Sequence, residues 1–180
     1  MRVSPRQRTG ARTLRAGPLA VPFVVAGVVP TVLGPTLAGP ALDPAVRIPV
    51  GLLLALVGAW STADAVDRVY LRQNTPLGDR PPDHLVTGGS YRILRNPMAA
   101  GMTLLLLGES LLWSAASIAG WAAVVLTVSY VTARRIEEPG LLRTFGAAYT
   151  DYRRAVPAWF PLPRRTRELR APSRRNEAPR

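Results

Sequence analysis

Long stretches without a charged side chain constrain this chain more than any other feature. Residues 18–38 carry no charge, and at ~1.5 Å per residue a helix of that length spans a hydrocarbon core of ~30 Å. Three further apolar runs follow, at about 46–66, 98–116 and 118–135. The predicted fold class is therefore all-α, a polytopic membrane protein with about four transmembrane helices. For the first run, a secretory signal peptide is the alternative interpretation.

The arginines are distributed as expected for four spans. All 23 basic residues are Arg: five precede residue 18, one lies in 39–47, five lie in 64–97, none lies in 114–117 and twelve follow residue 133. This alternation predicts that both termini are cytoplasmic at the cell inner (plasma) membrane. A nucleic-acid-binding protein has no reason to alternate in this way. The net charge of +12 is therefore assigned to topology and to contact with anionic membrane lipids.

The remaining segments complete the predicted domain organisation. Residues 1–17 form a basic cytoplasmic N-terminus, and residues 18–163 form the membrane domain. Within that domain, residues 139–156 have apolar side chains at helical spacing and are predicted to form an amphipathic helix at the interface. Residues 164–180 hold seven Arg and are predicted to form a disordered tail. The chain has no cysteine and one histidine, so we predict no metal site.

Two cytoplasmic segments carry an ordered series of motifs on either side of the last apolar hairpin. The first reads G-x-Y-R-x-x-R-N-P-M over residues 89–98, and the second begins at the Glu137–Glu138 pair. The second continues with Leu141, Phe145, Gly146, Tyr149, Tyr152, Val156 and Pro157. The series resembles the isoprenylcysteine carboxyl methyltransferase family, which includes bacterial phospholipid methyltransferase-like proteins. The resemblance covers about residues 72–162.

The resemblance implies an integral membrane enzyme that uses S-adenosylmethionine as its cofactor. Three positions differ from the family pattern: Asn96 replaces a His, Ala99 replaces an aromatic residue, and Ala133 replaces a substrate-binding Arg, for which the adjacent Arg134 is the substitute. Asn can still donate and accept hydrogen bonds but cannot titrate. Carried over position by position, the implied cofactor-binding residues are Leu85, Val86, Tyr91, Asn96, Pro97, Met98, Ala99 and Glu137.

The methyl acceptor is predicted to be lipophilic, because a tail can then enter the bilayer-embedded enzyme sideways. Methyl transfer needs a nucleophile held in line with the methyl group and little acid–base help. A carboxylate on an isoprenoid-bearing molecule is the first choice, with Arg134 and Glu138 as the catalytic residues that orient it. A lipid amine is the second choice, and it would need a base such as His84, Glu137 or Glu138.

The sequence also allows two rival functions. A membrane reductase of the sterol-reductase type would use a nicotinamide cofactor, whereas a non-catalytic scaffold would retain the fold alone.

Glu109 lies inside the third apolar run, where a charge costs at least ~2.5 kcal/mol. It is either a residue lining a wet cavity or a structural hydrogen-bonding group.

Overall fold

The computed structural model describes residues 24–33, 37–39, 41–73 and 84–160. Within those ranges the regular elements are helical, and the pairing of Ala38 with Ala115 is an isolated bridge. The all-α prediction is therefore confirmed for the described residues. Residues 18–23 and 34–36 of the first predicted span lie outside them, as do the predicted segments 1–17 and 164–180. The helices are α1 (Val29–Leu33), α2 (Pro44–Val66), α3 (Pro97–Trp113), α4 (Ala116–Thr132) and α5 (Glu138–Ala155).

Short π and 3₁₀ turns precede or extend several of these helices. A π turn, Val24–Val28, precedes α1, and a second, Asp67–Leu71, continues α2. A third, Ala133–Glu137, joins α4 to α5 without a break, and a 3₁₀ turn, Gly89–Arg92, leads towards α3. π turns inside helices are common at functional sites, and the π turn Ala133–Glu137 ends at the first residue of the second motif segment.

The central feature of the fold is the close antiparallel packing of α2 on α3. Gly58 faces Gly101, and Gly51 faces Gly108, so the two backbones meet at pairs of glycines. A Cβ atom on Gly101 would lie 2.8 Å from the carbonyl oxygen of Gly58, and one on Gly108 would lie 2.6 Å from that of Gly51. Small residues that allow this approach are typical of helix pairs in membranes. We call these four residues the glycine seam.

α3 and α4 form a hairpin with a very short connection. The sequence predicts a short connection at 114–117, and the observed turn consists of Ser114 and Ala115, with Ser114 in the left-handed region at φ 49°. The buried apolar cluster beneath this hairpin joins the two helices. It contains Met102, Leu106, Ala115, Ile118, Ala122 and Val125.

Arg47 holds the end of the bundle that contains this turn. Its Nη1 donates to the carbonyl oxygens of Leu111 and Leu112, each at 3.1 Å, and to Ser114 Oγ at 2.6 Å. The last carbonyls of a helix lack intrahelical partners, and a cation at that end also suits the helix dipole. The single arginine of the Arg-poor segment 39–47, which lies in the first turn of α2, therefore caps α3.

Length and composition favour a membrane location for this bundle. The helices Pro44–Leu71 and Ala116–Ala155 are long and apolar enough to cross a bilayer, and Pro97–Trp113 is a shorter apolar helix. Large apolar side chains on α2 face outward, including Leu53 at 62% exposure and Leu56 at 68%. These features fit a lipid-facing surface better than a water-facing one. The four-span topology stays a prediction.

The amphipathic segment differs in shape from the single helix that the sequence predicts. The predicted helix at 139–156 corresponds to α5, which runs directly out of the π turn that follows α4. Gly146 interrupts it with φ 51° and ψ −119°, values far from those of a helix. A positive φ is readily adopted only by glycine. The result is a kink that directs Tyr149 and Tyr152 back towards the bundle.

Candidate functional site

The first motif segment is held against α2 by a carboxylate. Asp64 Oδ2 accepts a hydrogen bond from the backbone N–H of Ser90 at 2.7 Å, and its Oδ1 accepts one from Arg68 Nε at 2.8 Å. Gly89 has φ +59°, and a Cβ atom there would collide with both Asp64 and Arg68. Gly89, the first residue of the motif, therefore allows the backbone to approach this ion pair closely.

Arg95 connects the first motif segment to the second. Its Nη1 donates to Glu138 Oε1 at 2.6 Å and to the Tyr149 hydroxyl at 3.2 Å, and its Nε donates to the carbonyl oxygen of Val156 at 3.1 Å. The side chains of Arg95 and Glu138 are each 12% exposed. Charge-assisted bonds of this kind are among the stronger hydrogen bonds in proteins. The two motif segments are therefore joined at one guanidinium group.

Further hydrogen bonds extend this connection on both sides of Arg95. The Tyr152 hydroxyl donates to the carbonyl oxygen of Tyr91 at 2.7 Å. The backbone N–H of Asn96 donates to the carbonyl oxygen of Ala158 at 3.3 Å, and its side-chain amide donates to the same atom at 3.4 Å. Asn96 precedes α3, but its side chain does not cap that helix. The first-turn amides of α3 therefore have no cap from this residue.

Tyr91 is linked electrostatically to both motif segments. Burial raises the pKa of its hydroxyl, and the charges of Tyr70, Tyr152, Glu137 and Asp64 raise it further. These groups come from the end of α2, from the π turn after α4 and from α5. The Tyr152 hydroxyl also donates to the backbone carbonyl of Tyr91, so α5 contacts the first motif segment at this residue.

Glu137 occupies an exposed position at the end of the π turn after α4. Burial of its carboxylate raises the pKa of Glu137, and the charge of Glu138 raises it further. Carboxylates with a perturbed pKa are typical of binding sites.

Arg134 and Glu138, the predicted substrate-orienting pair, point to different partners. The Arg134 guanidinium lies over the ring of Tyr130, 5.6 Å from its centroid, whereas Glu138 pairs with Arg95. The Tyr130 ring in turn lies 5.8 Å from that of Trp159. Arg134 is exposed and forms no ion pair with a carboxylate of the described residues. The roles assigned to Arg134 and Glu138 stay predictions.

The other predicted cofactor residues lie along the loop before α3 and in the first turn of that helix. Leu85 and Val86 are half-buried in the loop. Pro97 is buried, and its carbonyl oxygen accepts a hydrogen bond from Ser61 Oγ at 2.9 Å. Met98 packs against the apolar cluster, and Ala99 is half-buried beside it. Backbone atoms dominate this part of the site.

Two groups of polar residues lie outside the set of predicted site residues. Asp64, Arg68 and Arg95 support the motif segments, and the sequence predicts no role for them. The i,i+4 spacing of Asp64 and Arg68 at the end of an apolar helix was a usable signal. Glu109 is half-buried in α3, and its Oε2 has no hydrogen-bond partner among the described residues. Both interpretations of Glu109 therefore stay open.

One cavity of the described bundle lies at the opposite end from this site. Its volume is about 310 Å³, and its walls are mainly apolar. Arg47, Leu54, Leu107 and Ala119 are among the residues that line it. Its walls hold none of the predicted cofactor or substrate residues.

Comparison with known proteins identifies the family. The phospholipid methyltransferase family matches residues 46–148, a range that covers α2, α3, α4 and the first motif segment. The chain belongs to this family of methyltransferases. None of the curated proteins and none of the solved structures with which the chain was compared matches it.

Proposed function

We propose that the chain is an integral membrane methyltransferase that uses S-adenosylmethionine and acts on a lipophilic acceptor. The observation that carries the proposal is the convergence of Tyr91, Asn96 and Glu137 at one polar end of an apolar helical bundle. These residues come from two segments that are distant in sequence and are tied together through Arg95. Membership of a methyltransferase family supports methyl transfer over the reductase alternative.

The residues at this end of the bundle suit the proposed cofactor. The Glu137 carboxylate can accept hydrogen bonds from an ammonium group or from ribose hydroxyls. The Asn96 amide and the first-turn amides of α3 can donate to a carboxylate. S-adenosylmethionine supplies an electrophilic methyl group on a sulfonium. The chain then has to hold the acceptor in line with that methyl group and keep water out.

A carboxylate on an isoprenoid-bearing molecule is the acceptor that we propose first. Arg134 is exposed near the proposed site and forms no ion pair with the described carboxylates, so its guanidinium is available to an anion. A planar guanidinium binds a carboxylate through two parallel hydrogen bonds. Its contact with Tyr130 restricts where the group points and supports a positioning role. Glu138 would then act mainly through Arg95.

A lipid amine is the second candidate, and the state of Glu137 favours it specifically. An ammonium group has to lose a proton before it can attack a methyl group, which requires a base. Because burial and Glu138 raise the pKa of Glu137, this carboxylate is a better proton acceptor than an ordinary Glu side chain. If Glu137 binds the ammonium group of the cofactor, it has to release that group before it can accept the proton of the lipid amine.

Methyl transfer to each class of acceptor at several pH values tests the proposal. A carboxylate has a reference pKa near ~4, so transfer to it should be nearly flat between about pH 6 and 8.5. A lipid amine with a pKa near ~10 should be methylated close to tenfold faster per pH unit, unless a protein base intervenes. Arg134→Ala should raise the KM for the carboxylate acceptor only, whereas Arg143→Ala, in the exposed part of α5, is the control. A steep pH dependence together with indifference to Arg134→Ala would overturn the carboxylate choice.

We also propose four spans with both termini in the cytoplasm of the cell inner membrane. The geometry supports this, because the described parts of the Arg-rich segments, 64–73, 84–97 and 134–160, meet at one end of the bundle, opposite Arg47. Reporter fusions after Gly39 and Ser117 should report the outside, and fusions after Gly78 and Pro163 the inside. An external signal at Gly78 would contradict the topology.

A further inference from the structure

Arg95 contacts three separate parts of the segment that follows α4. We call residues 138–158 the C-terminal arm. The Arg95 guanidinium binds Glu138 at the start of the arm, Tyr149 after the kink and Val156 near its end. The Arg95 backbone N–H also donates to the carbonyl oxygen of Pro157 at 2.9 Å. One side chain and its own amide therefore fix the folded shape of the arm.

Each partner of the Arg95–Glu138 ion pair is adjacent in sequence to a predicted cofactor-binding residue. Arg95 immediately precedes Asn96, and Glu138 immediately follows Glu137. The pair therefore joins the two halves of the proposed cofactor site through their adjacent residues. Any shift of Glu138 relative to Arg95 would change the separation between Asn96 and Glu137.

Burial separates this pair from an ordinary surface ion pair. The Arg95 and Glu138 side chains are 12% exposed, with 2.6 Å between Nη1 and Oε1. The pair of Arg154 and Asp151 in the same arm is 77% and 75% exposed, with a distance of 3.4 Å. Exposed pairs contribute little, whereas removal of one partner from a buried pair leaves an uncompensated charge. Removal of Arg95 would leave that charge on Glu138, next to Glu137.

We propose that Arg95 and Glu138 are a positioning pair for S-adenosylmethionine binding. The pair sets the separation of Asn96 and Glu137, and it keeps the negative charge of Glu138 from acting in full on Glu137. Arg95 acts through these neighbours and does not touch the cofactor. The inference rests on the proposed function, because it concerns the same cofactor site.

The charged and titratable groups around Glu137 allow a distinctive test. Tyr70 faces it from the end of α2, Tyr91 faces it from the 3₁₀ turn, and Glu138 follows it in its own helix. Of the described groups, Glu138 is the one whose charge raises the pKa of Glu137. Loss of Arg95 should therefore raise the pKa of Glu137 further. A residue with a purely structural role would not move the pH dependence in this way.

A double-mutant cycle measures this coupling. S-adenosylmethionine affinity is measured by calorimetry between about pH 5 and 8 for the intact protein, Arg95→Met, Glu138→Gln and the double variant. Arg95→Met should bind about tenfold more weakly, because Asn96 and Glu137 are no longer held at one separation by the coupled ion pair. The pH of half-maximal affinity should rise in Arg95→Met and return in the double variant. Arg95→Lys should keep the original pH dependence with intermediate affinity, and Arg154→Met, which breaks the exposed pair, should change neither.

A measurement without cofactor separates this inference from the proposed function. Because the chain has no cysteine, spin labels can be attached at introduced cysteines only, at Ile93 and Ala155. Both positions are exposed. The distance distribution by electron paramagnetic resonance should broaden in Arg95→Met and stay narrow in Arg154→Met. Where Arg95→Met does not insert, Glu138→Gln, which removes the charge of the other partner of the pair, is compared with Arg154→Met instead.

The binding and spin-label experiments distinguish failure of the proposed function from failure of the positioning pair. If the intact protein does not bind S-adenosylmethionine, the proposed function fails, and the spin-label result still decides whether Arg95 fixes the arm. If the intact protein binds and Arg95→Met binds equally well with an unchanged pH dependence, the positioning pair is overturned. A narrow label distribution in Arg95→Met would overturn it as well.

Discussion

The glycine seam and the Arg95 connection hold the same bundle together by opposite means. At the seam, α2 and α3 approach until backbone meets backbone, and the absence of side chains makes the contact possible. Around Arg95, long polar side chains cross the gap between segments and satisfy carbonyl, hydroxyl and carboxylate groups. The seam therefore fixes the scaffold, whereas the polar end fixes a site whose parts come from different helices. Each region should fail in its own way when it is changed.

The largest effect is expected at the seam. A Cβ atom at Gly58 would lie 2.5 Å from the carbonyl oxygen of Gly101 and would also meet the backbone N–H of Leu105. Gly58→Ala should therefore force α2 and α3 apart and lower the free energy of unfolding by more than the ~1–3 kcal/mol typical of overpacking. Thermal unfolding in detergent measures the change.

Gly120→Ala is the matched control for the seam variant. Gly120 lies in α4, and a Cβ atom there would have open space around it. Because alanine is favoured over glycine in a helix by up to ~1 kcal/mol, this variant should be as stable as the original chain or more so. Equal melting temperatures for the two variants would contradict the importance of the seam.

At the polar end, a substitution should reduce binding and leave the scaffold intact. Glu137→Gln removes a charge but keeps the shape of the side chain, and it should weaken S-adenosylmethionine binding about tenfold or more, since such bonds are worth ~1.5–3 kcal/mol. Calorimetry measures the affinity, and the melting temperature should be unchanged. Asp151→Asn, which alters an exposed carboxylate in the same arm, is the control. Unchanged affinity in Glu137→Gln would make Glu137 a solvated helix end.

A smaller effect is expected from pH. Because burial and Glu138 raise the pKa of Glu137, its carboxylate gains a proton at a higher pH than an ordinary Glu side chain does. The ionised form is the one that binds an ammonium group, so cofactor affinity should be highest above this pKa and fall as the pH decreases through it. Glu137→Gln should lack this dependence. Affinity that rises on acidification would contradict the assignment.

The contrast between the two regions also explains what the sequence could predict. Apolar runs at 46–66, 98–116 and 118–135 correspond to α2, α3 and α4, because a long uncharged helix is recognisable from local composition alone. The motif segments were found through a resemblance in ordered residues. Neither local composition nor the resemblance gives the distances between the side chains of the site.

The remaining features depend on contacts between residues that are distant in sequence. Arg95 and Glu138 are separated by 43 positions, and nothing local to either residue identifies the partner. The kink at Gly146 was missed for a different reason. Helical periodicity continues across it in the sequence, and glycine permits many conformations without requiring any of them. The change in direction at Gly146 is what lets Tyr149 reach Arg95.

Direct binding of S-adenosylmethionine to the purified full chain in detergent tests the central claim most directly. We expect saturable binding at one site per chain, competition by S-adenosylhomocysteine, no displacement by a nicotinamide dinucleotide, and a loss of affinity of about tenfold or more in Glu137→Gln. Saturable binding of a nicotinamide dinucleotide instead, or no binding of S-adenosylmethionine to the folded protein, would contradict it.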